Sequence, residues 1–175
     1  AQYRQELIEA STRVIDSGWY IGGNELASLE REFAQYCGTE YCVGVANGLD
    51  ALILTLRAWK ELGKLKEGDE VIVPANTYIA SILAITENNL VPVLVEPNVE
   101  TFNIDSVKIE KVITNKTKAI LPVDVSGMPV DINSFQDFAN EHNLVFIRDS
   151  AEGLGAEYNH KKIGSFNHTS IFSFH

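Results

Sequence analysis

Leu144-Val145-Phe146-Ile147-Arg148-Asp149-Ser150-Ala151-Glu152-Gly153-Leu154-Gly155 is the stretch whose reading decides the fold. Four apolar residues in a row, after a helix-like run from Phe135 to His142, predict a strand buried on both faces. The run ends in an acid and then in small residues and glycines. In an open parallel sheet ligands gather at the carboxyl ends of the strands, which puts Asp149 where chemistry is usually found. An acid there can pair with a cationic ring nitrogen, bind a metal or cap the following turn. Taken alone, the cap is the commoner role.

Outward from that strand the chain alternates. Tyr41–Val45, Glu70–Pro74, Val91–Val95, Lys118–Val123 and Ser170–Phe174 have strand-like composition. Pro92 means that the third of these starts late or lies near an edge. Helical periodicity covers residues 2–17, 24–37, 51–56, 79–87, 105–113 and 131–142. Gly18 and Gly38 stand as helix stops, and Asn24 and Asp105 as caps. Residues 157–164 predict a hairpin turning at Asn159-His160. Strands alternating with helices, without repeats, predict an α/β fold of three layers (α/β/α) around a mostly parallel sheet.

Composition narrows the function. The formal charge of −10 argues against nucleic acid or an anionic membrane as partner. It leaves room for a phosphorylated small ligand, because backbone amides bind phosphate whatever the net charge. No apolar run reaches the ~20 residues of a membrane span. Cys37 and Cys42, not spaced as CxxC, read as reduced thiols of a cytoplasmic protein. The four histidines lack metal-ligand spacing, so no metal is expected.

Three loops at carboxyl ends of predicted strands draw attention: Asn47-Gly48-Leu49-Asp50, Asn76-Thr77-Tyr78, and Asp149 to Glu152. A glycine turn opening a buried helix suits an anion, the helix dipole contributing ~0.3–2 kcal/mol. Tyr78 can stack on a flat ring, although a tyrosine at a helix start is more often packing. Together the loops fit one ligand with a phosphate, an aromatic ring and a basic ring nitrogen, and pyridoxal phosphate has all three.

The motifs Ser17-Gly18-Trp19-Tyr20, Gly44-Val45-Ala46-Asn47-Gly48-Leu49-Asp50-Ala51-Leu52, Gly68 to Ala80, Asn103-Ile104-Asp105, Asp149-Ser150-Ala151-Glu152, Ile163-Gly164-Ser165 and Phe172-Ser173-Phe174-His175 occur in this order. They resemble the DegT/DnrJ/EryC1/StrS sugar aminotransferases, nearly end to end. The resemblance implies the large domain of the pyridoxal phosphate-dependent fold type I, of which residues 1–175 would be the amino-terminal part. The small carboxy-terminal domain would lie outside this chain. It also implies site roles. Backbone amides of Gly48 and Leu49, with the Ser173 hydroxyl, would hold the cofactor phosphate. Tyr78 would stack on the ring, Asp149 would pair with its nitrogen, and Glu152 would bond its hydroxyl. Trp19 and Tyr20 would contact substrate.

Some positions depart from the family pattern. Residue 152 is often Gln, the residue at 148 is often acidic, and His often stands at 124. No catalytic residue is assigned within the chain, because the cofactor-anchoring lysine is expected three residues beyond His175. The activity implied is amination of a keto group on a nucleotide-linked deoxysugar, in the branch acting on dTDP-linked 3-keto-6-deoxyhexoses, with glutamate as donor, in a homodimer. A dehydratase relative, with His for the lysine, and a non-catalytic cofactor-binding regulator are the rival readings.

Overall fold

The computed structural model describes residues 2–174 and divides after Gly44 into two compact units. The first unit holds α1 (Arg4–Ser17) and α2 (Asn24–Cys37). Gly18 (φ 65°) and Gly38 (φ 75°) end these helices in the left-handed region, where a side chain would be strained. Arg13 and Glu25 pair at 2.6 Å across the two helices. Asn24 is the first residue of α2 rather than its cap, which is the extended Gly23.

The strand expected at Tyr41–Val45 does not form. The Gly44 amide donates to Glu30 Oε1 at 2.8 Å instead of to a neighbouring strand. Tyr41 and Val43 are exposed, and no strand pairs with this segment among the described residues. A strand needs a ladder partner, and composition cannot supply one.

The second unit opens with α3 (Gly48–Glu61), followed by β1 (Glu70–Pro74), α4 (Ile79–Glu87), β2 (Val91–Val95), α5 (Ser106–Ile109), β3 (Thr117–Ile120), α6 (Ile132–Glu141) and β4 (Val145–Asp149). A short antiparallel hairpin, β5 (Glu157–Tyr158) and β6 (Lys161–Lys162), precedes β7 (Thr169–Ile171). Asn159 and His160 turn that hairpin with φ of 50° and 61°, as two-residue hairpin loops demand. The main sheet runs β2-β1-β3-β4-β7, every pair parallel; β2 lies on an edge, and of the two readings of Pro92 this one holds, since the strand starts at Val91 and not late.

Period-two alternation sorts the core into two layers. Val71, Val73, Ala119, Leu121 and Ile147 pack with Leu52 and Leu56 of α3 and Ala84 and Ile85 of α4. Ile72, Ile120 and Phe146 pack on the other face with Ile109 of α5 and Ile132, Phe135 and Ala139 of α6. The expected three-layer arrangement is therefore present, with corrections of length. The helix from Asp105 stops at Ile109, well short of residue 113. Its cap is as read, Asp105 accepting from the Val107 amide at 3.0 Å. Strand β3 ends at Ile120, ahead of Pro122, and only an isolated bridge joins Val123 to Asp149. The last strand is Thr169–Ile171 rather than Ser170–Phe174.

Candidate functional site

The same alternation decides what the end of β4 can do. Ile147 faces α3 and α4, so Asp149 points to that side and Arg148 to the α6 side. Asp149 is 5% exposed. Its Oδ1 accepts from the Ala151 amide at 3.1 Å, and its Oδ2 from the Ser81 hydroxyl of α4 at 2.8 Å. The acid therefore closes the turn after the strand, as a cap would, and also reaches into the neighbouring helix. Burial pushes its carboxyl above the usual range, with the carboxylates of Asp124 and Glu152 adding to the push. The Ser81 and Ala151 hydrogen bonds pull the other way.

Ser81 shares a 2.7 Å hydrogen bond with Thr77 Oγ1, immediately before Tyr78 at the start of α4. Tyr78 itself is 78% exposed at the carboxyl end of the sheet. Helix α3 begins at the same end. Asn47 caps it, Oδ1 accepting from the Asp50 amide at 2.9 Å. Gly48 and Leu49, its first residues, carry amides without an intrahelical acceptor. A Cβ on Gly48 would lie 2.8 Å from Ser173 Cβ and 3.0 Å from its Oγ, so only glycine allows this approach. Ser173 follows β7, whose Ile171 is in register with Asp149. Gly48, Ser173, Asp149 and Tyr78 thus gather at the carboxyl end of one sheet.

Glu152 lies in the turn after Asp149, where its Oε2 accepts from the Ser126 amide at 2.6 Å. Ser126 has φ 53°, within a one-turn helix (Val125–Gly127) that follows β3. Beneath this floor the sequence hid a charge pair. Arg148 Nε lies 3.2 Å from Asp124 Oδ2, and Ser150 donates to that oxygen at 2.6 Å. Arg148 Nη2 also donates to the Ile163 carbonyl and to Ser170 Oγ. Trp19 and Tyr20 belong to the first unit, in the loop between α1 and α2. Both are exposed there, the Trp19 indole donating to the Ile21 carbonyl at 2.6 Å. No lysine lies in segments 75–78, 121–128, 150–156 or 172–174.

Sequence reasoning named Thr77 only as part of its loop, without a role, and missed Ser81. The available signal was a lone hydroxyl at position 81 within the apolar run Ile79-Ala80-Ser81-Ile82-Leu83-Ala84-Ile85. Arg148 and Asp124 were noticed only as departures from a pattern.

The profile of the DegT/DnrJ/EryC1/StrS aminotransferase family matches residues 1–175. The chain belongs to that family. Among curated members, it is 53% identical over 173 residues to the dTDP-3-amino-3,6-dideoxy-alpha-D-galactopyranose transaminase of Aneurinibacillus thermoaerophilus, covering 99% of this chain and 47% of that protein. Among solved members, it superposes on Streptomyces venezuelae DesV in complex with ketimine intermediate with a TM-score of 0.93 and 43% identity, covering 99% of this chain and 46% of that one. The E. coli GDP-4-keto-6-deoxy-D-mannose-3-dehydratase with bound hydrated PLP gives a TM-score of 0.83 and 30% identity, over 91% of this chain and 41% of that one. The chain spans about half the length of the curated relatives it matches.

Proposed function

We propose that the full-length protein is a pyridoxal phosphate-dependent aminotransferase converting a keto group of a nucleotide-linked deoxysugar, of the dTDP class, to an amine. Glutamate is the proposed donor. The observation that carries the reading is Asp149, a buried acid at a strand's carboxyl end, gathered with the Gly48–Ser173 contact at a helix start. The residues fit the cofactor. The described residues give Asp149 no cationic partner, and a ring N–H⁺ would supply one. The α3 amino end, with a glycine where a Cβ would collide, suits a phosphate.

In this reading the Gly48 and Leu49 amides hold the phosphate with the Ser173 hydroxyl, and Tyr78 covers the ring face. Asp149 pairs with the ring nitrogen and holds its proton in place, while Glu152 accepts from the ring hydroxyl. Bound pyridoxal phosphate supplies the electron sink that stabilises negative charge on the carbon exchanging its amino group. Trp19 and Tyr20 contribute to substrate binding. The exposed apolar residues Trp19, Tyr20 and Ile21 favour burial in a homodimer. Residues 1–175 form the amino-terminal part of the cofactor-binding large domain. The anchoring lysine and a small domain follow in sequence, and the protein works in the cytoplasm.

The likeness to a dehydratase supports one second reading, in which His replaces that lysine. Borohydride treatment of the full-length protein with pyridoxal phosphate, followed by peptide mapping, tests both. A reduced adduct on a lysine just past His175, with amination of a dTDP-linked 3-keto-6-deoxyhexose, is the expected result. An adduct on a lysine within 1–175 with activity retained overturns the assignment, and a His at the anchoring position selects the dehydratase.

A further inference from the structure

Helix α4 presents an apolar face to the sheet, and Ser81 is its one fully buried hydroxyl. A serine in a helix usually returns its proton to the carbonyl four residues back or to water. Here Ser81 donates to Asp149 Oδ2 at 2.8 Å. A hydroxyl carries one proton, so with Ser81 committed to the carboxylate, the 2.7 Å contact to Thr77 must be donated by Thr77 Oγ1. The result is a one-way chain, Thr77 to Ser81 to Asp149, ending on the carboxyl oxygen Oδ2. Ser81 is the only side chain donating to Asp149 among the described residues, the other donor being the Ala151 amide. The charged groups nearby do not replace it. Asp124 and Glu152 are acids, and Arg148 lies on the opposite face of the sheet, tied to Asp124.

We propose that Ser81, backed by Thr77, is a positioning residue that fixes the Asp149 carboxylate in the rotamer and charge state the cofactor's ring nitrogen requires. This rests on the aminotransferase reading above. One proton is shared between Asp149 and the ring nitrogen, and a donor on the carboxylate keeps that proton on the nitrogen. Removing the donor makes the carboxylate the better base, and the proton moves toward Asp149. Thr77 acts at one remove, by saturating the Ser81 oxygen so that its own proton stays on the acid.

The test uses the full-length protein loaded with pyridoxal phosphate carrying ¹⁵N in the ring. In Ser81→Ala, loss of one hydrogen bond to a charged group weakens cofactor binding about tenfold. The ring-nitrogen resonance moves toward that of neutral pyridine. Thr77→Val shifts both readouts in the same direction by less, about threefold in binding, and Ser81→Thr restores them. If Ser81→Ala lowers the melting temperature while the nitrogen resonance stays at its wild-type position, Ser81 is a packing residue and the proposal is overturned. Should Ser81→Ala not fold, Thr77→Val takes its place, and an unmoved nitrogen resonance there overturns the proposal equally. A wild-type protein that fails to bind pyridoxal phosphate at all instead removes the underlying reading, before any variant is compared.

Discussion

Arg148 Nε and Asp124 Oδ2 are 3.2 Å apart with neither side chain exposed, a fully buried ion pair directly behind the proposed site. For both groups burial outweighs the partner's attraction, the Asp124 carboxyl being pushed up and the Arg148 guanidinium down. Taking both charges out of water carries a desolvation cost against which their attraction and hydrogen bonds work. The pair's use is positional. Asp124 Oδ1 accepts from the Val130 amide at 3.0 Å, fixing the loop that carries Ser126 and, through it, Glu152. Arg148→Met alone should destabilise the full-length protein by ~3–5 kcal/mol in urea titration, since it strands a buried carboxylate. Asp124→Leu together with Arg148→Met should cost much less than the two single changes added. Additive losses would show that the charges do not act as a pair.

Replacing Asp149 by Asn keeps the shape and one acceptor oxygen, enough for either the Ser81 hydroxyl or the Ala151 amide, but removes the charge. The proposed partner of Asp149 is a cation, so the penalty should fall on cofactor function and not on folding. Activity of the full-length protein should drop by about 10²–10³-fold in both half-reactions, with the melting temperature of the cofactor-free protein little changed. Unchanged turnover in both halves would sink the assignment of Asp149.

Gly48→Ala tests the other end of the site. The new methyl would stand 2.8 Å from Ser173 Cβ, closer than carbon atoms approach, so the α3 start and the segment after β7 must separate. Alanine favours a helix interior by ~1 kcal/mol over glycine, yet that gain cannot offset a clash at the first helical position. Affinity for pyridoxal phosphate, followed by its absorbance, should fall about tenfold or more. Ser173→Gly in the same protein should relieve the clash and recover stability without recovering the lost hydroxyl contact. Wild-type affinity in Gly48→Ala would exclude this junction as the phosphate site.

The layer order and the place of the proposed site's acid at the end of a strand were legible because their signals are local. A four-residue apolar run, Leu144 to Ile147, closing on Arg148-Asp149, and glycine before a helix with an apolar face at Gly48, depend little on distant residues. What could not be read depends on partners far along the chain. Tyr41–Val45 has the composition of a strand, but pairing is a property of two segments, and its Gly44 amide goes to Glu30. Asp105 announced a helix start correctly, while nothing local marked its end after four residues. Ser81 drew no reading from the sequence, because its acceptor, Asp149, lies 68 positions away. Arg148 in a buried strand contradicts the apolar pattern, and only the fold places Asp124 beside it.

His168 gives the fold a pH dependence that can be isolated. Its ring packs against Phe146 at 4.4 Å and Phe166 at 6.1 Å, and neither ring nitrogen has a hydrogen-bond partner among the described residues. Burial, with the Arg148 charge adding to it, brings its pKa from 6.5 down to about 3. Between those values the unfolded chain binds a proton that the folded protein refuses. Stability conferred by the neutral ring is therefore complete above about 6.5 and lost as pH falls toward about 3, at up to ~1.4 kcal/mol per pH unit. Asp124 and Asp149 act in the opposite sense. Their carboxyls are raised on folding, so the folded state takes up their protons before the unfolded one does, and a lower pH favours it. The total acid profile mixes both effects. Subtracting the profile of His168→Phe, which keeps an aromatic ring in place, removes the carboxylate part. Urea midpoints from pH 7.5 to 4.5 should show the wild type losing stability relative to the variant by about 2 kcal/mol at pH 5. Parallel profiles across that range would mean that His168 is solvated or protonated in the folded protein, against its burial between Phe146 and Phe166.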